Sequence, residues 1–306
     1  MEILILTNSF DGTADIISQI LTKKKIKFLR WNIDLWDNYE IIFNQNSFKI
    51  TDPLNNSVSS NNLLKVLWRK PFLDYIKTNP HHKINDADLK FAGTEIKSVL
   101  YSILSFTRNT IGNFIDPIDE LRLPKLKQLE VAKKYFEILP YEFSIIKSHL
   151  NIENSISKPL GNPGVGNKIL YTTKVKQKDV MRPYPWFFQK VIENGRDVTA
   201  VFIDEEVFFY YCEFKRNQTS IDWRVEINEK EQSKWFLLEH KSLDNLKEKT
   251  KALMKEFKLK YGRLDFIEEN DNFYFLECNP NGQFGWLDDF NTSHLHNKFV
   301  DAFLKN

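Results

Sequence analysis

Residues 261–289, YGRLDFIEENDNFYFLECNPNGQFGWLDD, constrain the fold more than any other part of the chain. Apolar residues alternate on both sides of Asn270-Asp271-Asn272, which predicts a β-hairpin with a three-residue turn centred on Asp271. That centring sets Asp265 and Glu277 directly opposite each other. Side chains alternate faces with period two, so Glu277 and Asn279 share one face while Tyr274, Leu276 and Cys278 point the other way. Opposed like charges on a sheet face repel. A divalent cation removes that penalty, and two carboxylates with an amide carbonyl select hard Mg²⁺ over zinc. The competing reading is an amphipathic hairpin with ordinary solvent-facing acids. Two details stand against it: the flank Phe273-Tyr274-Phe275-Leu276 predicts a sheet inside the fold, and the turn Asn279-Pro280-Asn281-Gly282 fixes the Asn279 side chain.

The rest of the chain reads as a mixture of strands and helices. Glu2–Thr7, a helix over Thr13–Leu21 and a strand over Lys27–Asn32 form a β-α-β opening, hence an α/β lobe. The turn-prone Asn8–Gly12 lacks the glycine pattern of a dinucleotide fingerprint and is read as a simple turn. Strands are expected over Glu40–Ile50 and Ser57–Leu67, and a long helix over Asp86–Arg108 with Leu89, Ile96, Leu100, Ile103 and Leu104 on its core stripe. After a loop over 113–124, a helix Lys125–Phe136 precedes the strands Tyr141–Ile146, Ser155–Pro159, Lys168–Thr173 and Trp186–Ile192. Val198–Phe214 reads as a hairpin turning at Asp204-Glu205-Glu206, and Asp244–Phe257 as a helix capped by Ser242 or Asp244.

Composition excludes several classes of function. Lys+Arg 43 against Asp+Glu 41 is too balanced for a chain whose main partner is nucleic acid. Two cysteines, Cys212 and Cys278, give no disulfide framework and fit a reducing compartment. No signal peptide or membrane-length apolar run is seen, so a cytoplasmic protein that avoids membranes is expected.

Asp265, Glu277 twelve residues on, Asn279, and then Pro280-x-Gly282-Gln283-x-Gly285-Trp286 resemble the metal-binding segment of ATP-grasp ligases, specifically the graspetide (microviridin-type) branch. Gln218-Thr219-Ser220-Ile221-Asp222-Trp223-Arg224 resembles the Thr-x-x-Asp-aromatic-Arg segment of those ligases, most closely the grasp-with-spasm subgroup. The resemblance implies an ATP-grasp fold of α+β lobes behind an N-terminal α/β pre-ATP-grasp domain. The expected division is 1–118, 119–190 for the central lobe and 191–306 for the C-terminal lobe with the metal hairpin.

The same resemblance assigns site residues. Lys125, with Lys127 as a competitor, and Lys158 match the two lysines that meet nucleotide phosphates, and the loop Gly161–Gly166 offers backbone N–H groups over them. Within Trp186–Glu193, Gln189, Lys190, Val191 and Ile192 match the strand that reads adenine, with Lys190 and Ile192 nearest. Asp265, Glu277 and Asn279 are the implied Mg²⁺ ligands. Arg224, oriented by Asp222, is implied to stabilise the transferring phosphoryl group. One departure stands out: where many relatives carry an arginine two residues after an acid, this chain has Asp197-Val198-Thr199, and Arg196 is the neighbouring cation.

The chemistry implied is ATP-dependent activation of Asp or Glu side chains of a ribosomal precursor peptide as acyl phosphates, followed by attack of a Ser, Thr or Lys side chain to close an ester or amide ring. A leader segment of that precursor would be recognised between the first lobes, near Asp86–Arg108, Arg69 and Lys70. Relatives leave a homodimer open. Two other readings remain: a ligase acting on free amino acids or a protein terminus, and a non-catalytic nucleotide- or peptide-binding protein. His81-His82 and His294-x-His296 lack zinc spacing and are read as polar surface-loop residues. Cys278 is read as a buried packing residue.

Overall fold

The computed structural model describes residues 2–45, 47–71, 85–107, 114–145, 154–161, 164–165, 168–169, 172–175, 185–215, 234–288 and 294–305. The chain divides into two compact units, Met1–Pro117 with Gln283–Asn306, and Ile118–Gly282.

In the first unit, β1 (Glu2–Thr7), α1 (Gly12–Lys23), β2 (Lys27–Asn32), β3 (Glu40–Phe43), β4 (Phe48–Thr51), β5 (Ser57–Ser59), β6 (Leu63–Trp68) and α2 (Asp86–Thr107) follow in order. β1 pairs in parallel with β2 and β6 at the centre of a three-stranded sheet. Ile3, Leu4, Ile5 and Leu6 are all fully buried, the unbroken apolar run of a strand covered on both faces. Asp11 caps α1, accepting from the Thr13 and Ala14 N–H groups. The α2 stripe lands as expected at Ile96, Leu100, Ile103 and Leu104, which are buried, while Leu89 is only half-buried. The long strand expected over Glu40–Ile50 is two strands of an antiparallel sheet ordered β3-β4-β5.

The second unit begins with the short helix α3 (Asp119–Arg122) and α4 (Lys125–Ala132). A four-stranded sheet ordered β11-β8-β12-β7 combines β7 (Tyr141–Ser144), β8 (Ser155–Ser157), β11 (Thr173–Lys174) and β12 (Trp186–Lys190), while β9 (Gly164–Val165) and β10 (Lys168–Ile169) form their own antiparallel pair. The strand expected over Lys168–Thr173 is thus split between two sheets. A five-stranded sheet ordered β15-β14-β13-β16-β17 is built from β13 (Arg196–Ile203), β14 (Glu206–Lys215), β15 (Trp235–Leu237), β16 (Tyr261–Glu269) and β17 (Asn272–Asn279), with α5 (Leu243–Phe257) between β15 and β16 in the chain. One face of this sheet carries Val198, Ala200, Phe202, Leu264, Phe266, Phe273 and Phe275 into a core shared with Leu253, Met254 and Phe257 of α5 and Leu129 and Ala132 of α4. The opposite face is the one that carries Asp265.

The terminal helix α6 (His294–Lys305) belongs to the first unit and overturns one sequence reading. His296 is fully buried there, not a surface-loop residue. Its Nδ1 bonds Asp288, whose carboxylate also accepts the Leu295 and His296 N–H groups at 2.9 Å each and so caps the helix. A carboxylate partner is what makes burial of an imidazole tolerable. His81 and His82 lie outside the described residues.

Candidate active site

The β16–β17 hairpin reaches the expected pairing by an unexpected route. Its turn is two residues, Asn270 and Asp271, both left-handed (φ 51° and 66°), as a type I′ turn requires. Such a turn pairs Glu269 with Asn272 and, continued, would set Asp265 against Leu276. A β-bulge intervenes: Phe266 pairs with Phe275 but Asp265 pairs with Glu277, leaving Leu276 as the extra residue. The shorter turn and the bulge cancel, and Asp265 faces Glu277. The bulge also re-aims side chains. Tyr274 and Leu276 pack with Ile267, Ile192 and Leu139, on the face that carries Asp265, whereas Cys278 lies in the core on the opposite side. The expected orientation of Tyr274 and Leu276 is therefore corrected, and that of Cys278 stands.

Around this pair the second unit assembles cations. Lys125 Nζ lies 2.8 Å from Glu277 Oε2 and 3.0 Å from the Pro159 carbonyl. Arg263, two residues before Asp265 and on the same face, donates from Nη2 to Asp265 Oδ2 at 2.8 Å. Asn279 Nδ2 sits 3.3 Å from both Asp265 Oδ2 and Glu277 Oε1. Lys158 Nζ lies 5.9 Å from the Phe187 ring centre and adds its charge to the field at Glu277. Burial alone would raise the pKa of Glu277. Lys125 above all, with Lys158 and Arg263, overcomes it and holds the carboxyl at about 2. Burial likewise opposes charge on Arg263, yet Asp265 and Glu277 more than compensate and push its pKa up. Burial and the same two acids push the Cys278 thiol up, which keeps it protonated and inert.

Position is set by the elements that carry these groups. Lys125 opens α4, and one turn later Gln128 grips β17: its Oε1 accepts the Cys278 N–H at 2.7 Å and its Nε2 donates to the Cys278 carbonyl at 2.9 Å. The turn after β17 is closed by Gly282 N–H to the Asn279 carbonyl at 3.0 Å and by the Tyr261 hydroxyl donating to the Gly282 carbonyl. Sequence reading missed Arg263 and Gln128. Both had a signal: Arg263 shares a strand face with Asp265, and Gln128 shares a helix face with Lys125.

β12 carries a different kind of signal. Gln189 is fully buried, yet neither its Nε2 nor its Oε1 has a hydrogen-bond partner among the described residues. A buried amide left unmet is costly, so this one calls for an explanation. Beyond it, Lys190, Val191 and Ile192 line a pocket of about 360 Å³ together with Leu139, Pro140 and Tyr274. Lys190 N–H is tied to the Pro140 carbonyl at 2.8 Å, which fixes the course of this strand end.

Arg196 does not reach the acidic pair. Its Nε donates to Glu268 at 2.8 Å and its guanidinium lies 4.4 Å over the Tyr211 ring, on the face opposite Asp265. Asp222, Arg224 and the whole segment Gln218–Arg224 lie outside the described residues, as do Asn162, Pro163 and Gly166 of the loop Gly161–Gly166.

Oxygen donors on Asp265, Glu277 and Asn279, already gathered on one sheet face with cations compensating their charge, fit a hard divalent ion. The Asn279 amide needs only its two terminal atoms exchanged to offer oxygen instead of N–H.

No family model and no curated protein matches this sequence. Solved structures do match, over the full chain. The macrocyclase MdnC bound with precursor peptide MdnA, from Microcystis aeruginosa MRC, aligns with a TM-score of 0.78 at 18% identity, covering 100% of each chain. A Chryseobacterium gregarium RiPP-associated ATP-grasp ligase, in complex with ADP and a leader and core peptide, gives 0.78 at 19% identity over 99% of this chain and 96% of its own. The D-alanine–D-alanine ligase of Bacillus anthracis complexed with ATP gives 0.57 at 12% identity over 100% and 96%. The chain has the ATP-grasp fold.

Proposed function

We propose that this protein is an ATP-dependent peptide macrocyclase, a ligase that activates Asp or Glu side chains of a ribosomal precursor peptide and joins them to Ser, Thr or Lys side chains of the same peptide. The carrying observation is the constellation Lys125–Glu277–Asp265–Arg263 on an ATP-grasp scaffold. Two proteins similar to this chain along its whole length hold, by their descriptions, a precursor peptide in one case and leader and core peptides with ADP in the other.

In this reading Asp265, Glu277 and Asn279 hold Mg²⁺. When bound, Mg²⁺ with ATP supplies charge neutralisation and the phosphoryl group that turns a carboxylate into an acyl phosphate. Lys125, released from Glu277, and Lys158 offer their charges to the nucleotide phosphates. The Arg263 guanidinium faces the charge that grows on the transferring group. Tyr274, Leu139 and Ile192 wall the purine pocket, with Gln189 meeting a polar edge of the base. Asp222 and Arg224 keep their proposed role at the phosphoryl group. Residues 1–118, 119–190 and 191–306 are assigned in this reading to pre-ATP-grasp, central and C-terminal lobes, with Gln283–Asn306 returning to the compact unit of Met1–Pro117. Among the described residues no helix is long and apolar enough to cross a membrane, and two buried free cysteines support placement in the cytoplasm.

The D-alanine–D-alanine ligase likeness favours a second reading, ligation of free amino acids. ADP release in a coupled assay separates the two. Release that depends on an acid-bearing precursor peptide with its leader is the expected result. Release driven equally by free amino acids, with none from peptide, would sink the macrocyclase reading and leave the fold assignment intact.

A further inference from the structure

β13 lies beside the strand that carries Asp265, and Thr199 is the residue it sets against that carboxylate. Thr199 is 2% exposed and pairs directly with Asp265 across the β13–β16 ladder. Its hydroxyl donates to Asp265 Oδ1 at 2.9 Å and lies 3.1 Å from the Leu264 carbonyl. The other carboxylate oxygen, Oδ2, takes Arg263 Nη2 at 2.8 Å and Asn279 Nδ2 at 3.3 Å, and the same Asn279 nitrogen touches Glu277. The two oxygens of Asp265 are therefore held from different strands: Oδ1 by Thr199 of β13, Oδ2 by Arg263 of β16, with the Asn279 amide of β17 beside it. With Oδ1 tied back, Oδ2 is the oxygen turned towards Glu277 and Asn279.

We propose that Thr199 is a positioning residue that fixes the Asp265 carboxylate so that Oδ2 is presented to a divalent cation. An arginine at 199 would bring a second cation against a carboxylate already paired with Arg263. A threonine holds the same carboxylate by a neutral hydrogen bond and leaves its charge for the metal. Outer-shell hydrogen bonds to ligating carboxylates act in this way, and their removal typically weakens metal binding by about 10–100-fold. The inference rests on the reading of Asp265, Glu277 and Asn279 as Mg²⁺ ligands.

The test is a titration of the full-length protein with Mn²⁺ in the presence of ADP, free Mn²⁺ being followed by electron paramagnetic resonance. Thr199→Val keeps shape and removes the donor, and is expected to bind Mn²⁺ about 10–100-fold more weakly. Thr199→Ser restores the donor and is expected to bind within about threefold of the parent, a rescue that a packing role for the threonine methyl would not give. Unchanged Mn²⁺ affinity in Thr199→Val, with only a lowered melting temperature, overturns the proposal, because the hydroxyl would then serve the Leu264 carbonyl alone. Should Thr199→Val not fold, Thr199→Cys, with its weak donor, gives the same comparison. Asp265→Asn separates the two levels: if it abolishes Mn²⁺ binding while Thr199→Val does not alter it, Thr199 fails and the metal site stands. If Asp265→Asn binds Mn²⁺ like the parent, the metal site itself fails and Thr199 with it.

Discussion

Gln128 bonds both main-chain groups of Cys278, accepting its N–H at 2.7 Å and donating to its carbonyl at 2.9 Å. β17 is the edge of its sheet, so these groups face away from β16 and need a partner from elsewhere. Gln128 supplies it in the manner of a neighbouring strand. Cys278 stands between Glu277 and Asn279, and Gln128 stands one turn after Lys125. One buried amide thereby sets the register of the Lys125–Glu277 ion pair.

Gln128→Leu removes both bonds to Cys278, and the donation of Nε2 to the Leu123 carbonyl at 2.8 Å with them, leaving buried groups unmet at a cost of about 1–3 kcal/mol per group. Urea denaturation should report that loss, and the affinity for ATP should fall with it. An unchanged midpoint would mean that Gln128 is a passive filler.

Stability should depend on acid through Glu277. Its pKa in the folded protein is about 2, against an ordinary 4.5, so its contribution is full above about pH 4.5 and is lost as pH falls towards 2. Lys125→Met removes the leading cation. Denaturation midpoints across that window should fall less steeply for the variant than for the parent, because the gap between its folded and unfolded pKa values is smaller. Parallel curves would contradict the pairing of Lys125 with Glu277.

Gln189→Leu tests whether the unmet amide is kept for a ligand. Without ligand the variant should be more stable than the parent by about 1–2 kcal/mol, since an unsatisfied buried polar group has been replaced by an apolar one. Nucleotide affinity should fall by about tenfold. A variant that is less stable and binds ATP normally would show that Gln189 has a structural partner instead.

Gly282 holds the turn after Asn279 close to Arg263. A Cβ there would stand 2.6 Å from Arg263 Cβ and 3.3 Å from the Asn279 Cβ, neither of which is the free end of a flexible chain. Gly282→Ala should cost about 1–3 kcal/mol through overpacking. By shifting Arg263 it should also slow turnover by about 100-fold. Gly12→Ala, where a Cβ meets nothing within 4 Å, is the matched control and should behave like the parent. Equal behaviour of the two variants would remove Arg263 from the account.

Much of this was legible from residue order. Period-two alternation on both sides of Asn270-Asp271-Asn272 marked the hairpin, but the pairing of Asp265 with Glu277 came out as expected only because the shorter turn and the bulge cancel; the fold followed from the motif around them. The bulge at Leu276 was not legible, because an extra residue in one strand leaves no compositional mark, and it hid the turn of Tyr274 and Leu276 towards the site. The burial of His296 on α6 was not legible, because it depends on Asp288, eight residues away in the chain. Arg263 and Gln128 carry periodic signals, but an ion pair or an amide grip is fixed only by tertiary placement.

The most direct test of the central claim is the intact mass of a leader-bearing precursor peptide with acidic and hydroxyl or amine side chains in its core, after incubation with this protein, ATP and Mg²⁺. The account predicts loss of one water per ring closed, absent without ATP and absent with Asp265→Asn. An Asp265→Asn variant that closes rings at the parent rate, or a parent protein that binds ATP and leaves every such peptide at its starting mass, would contradict it.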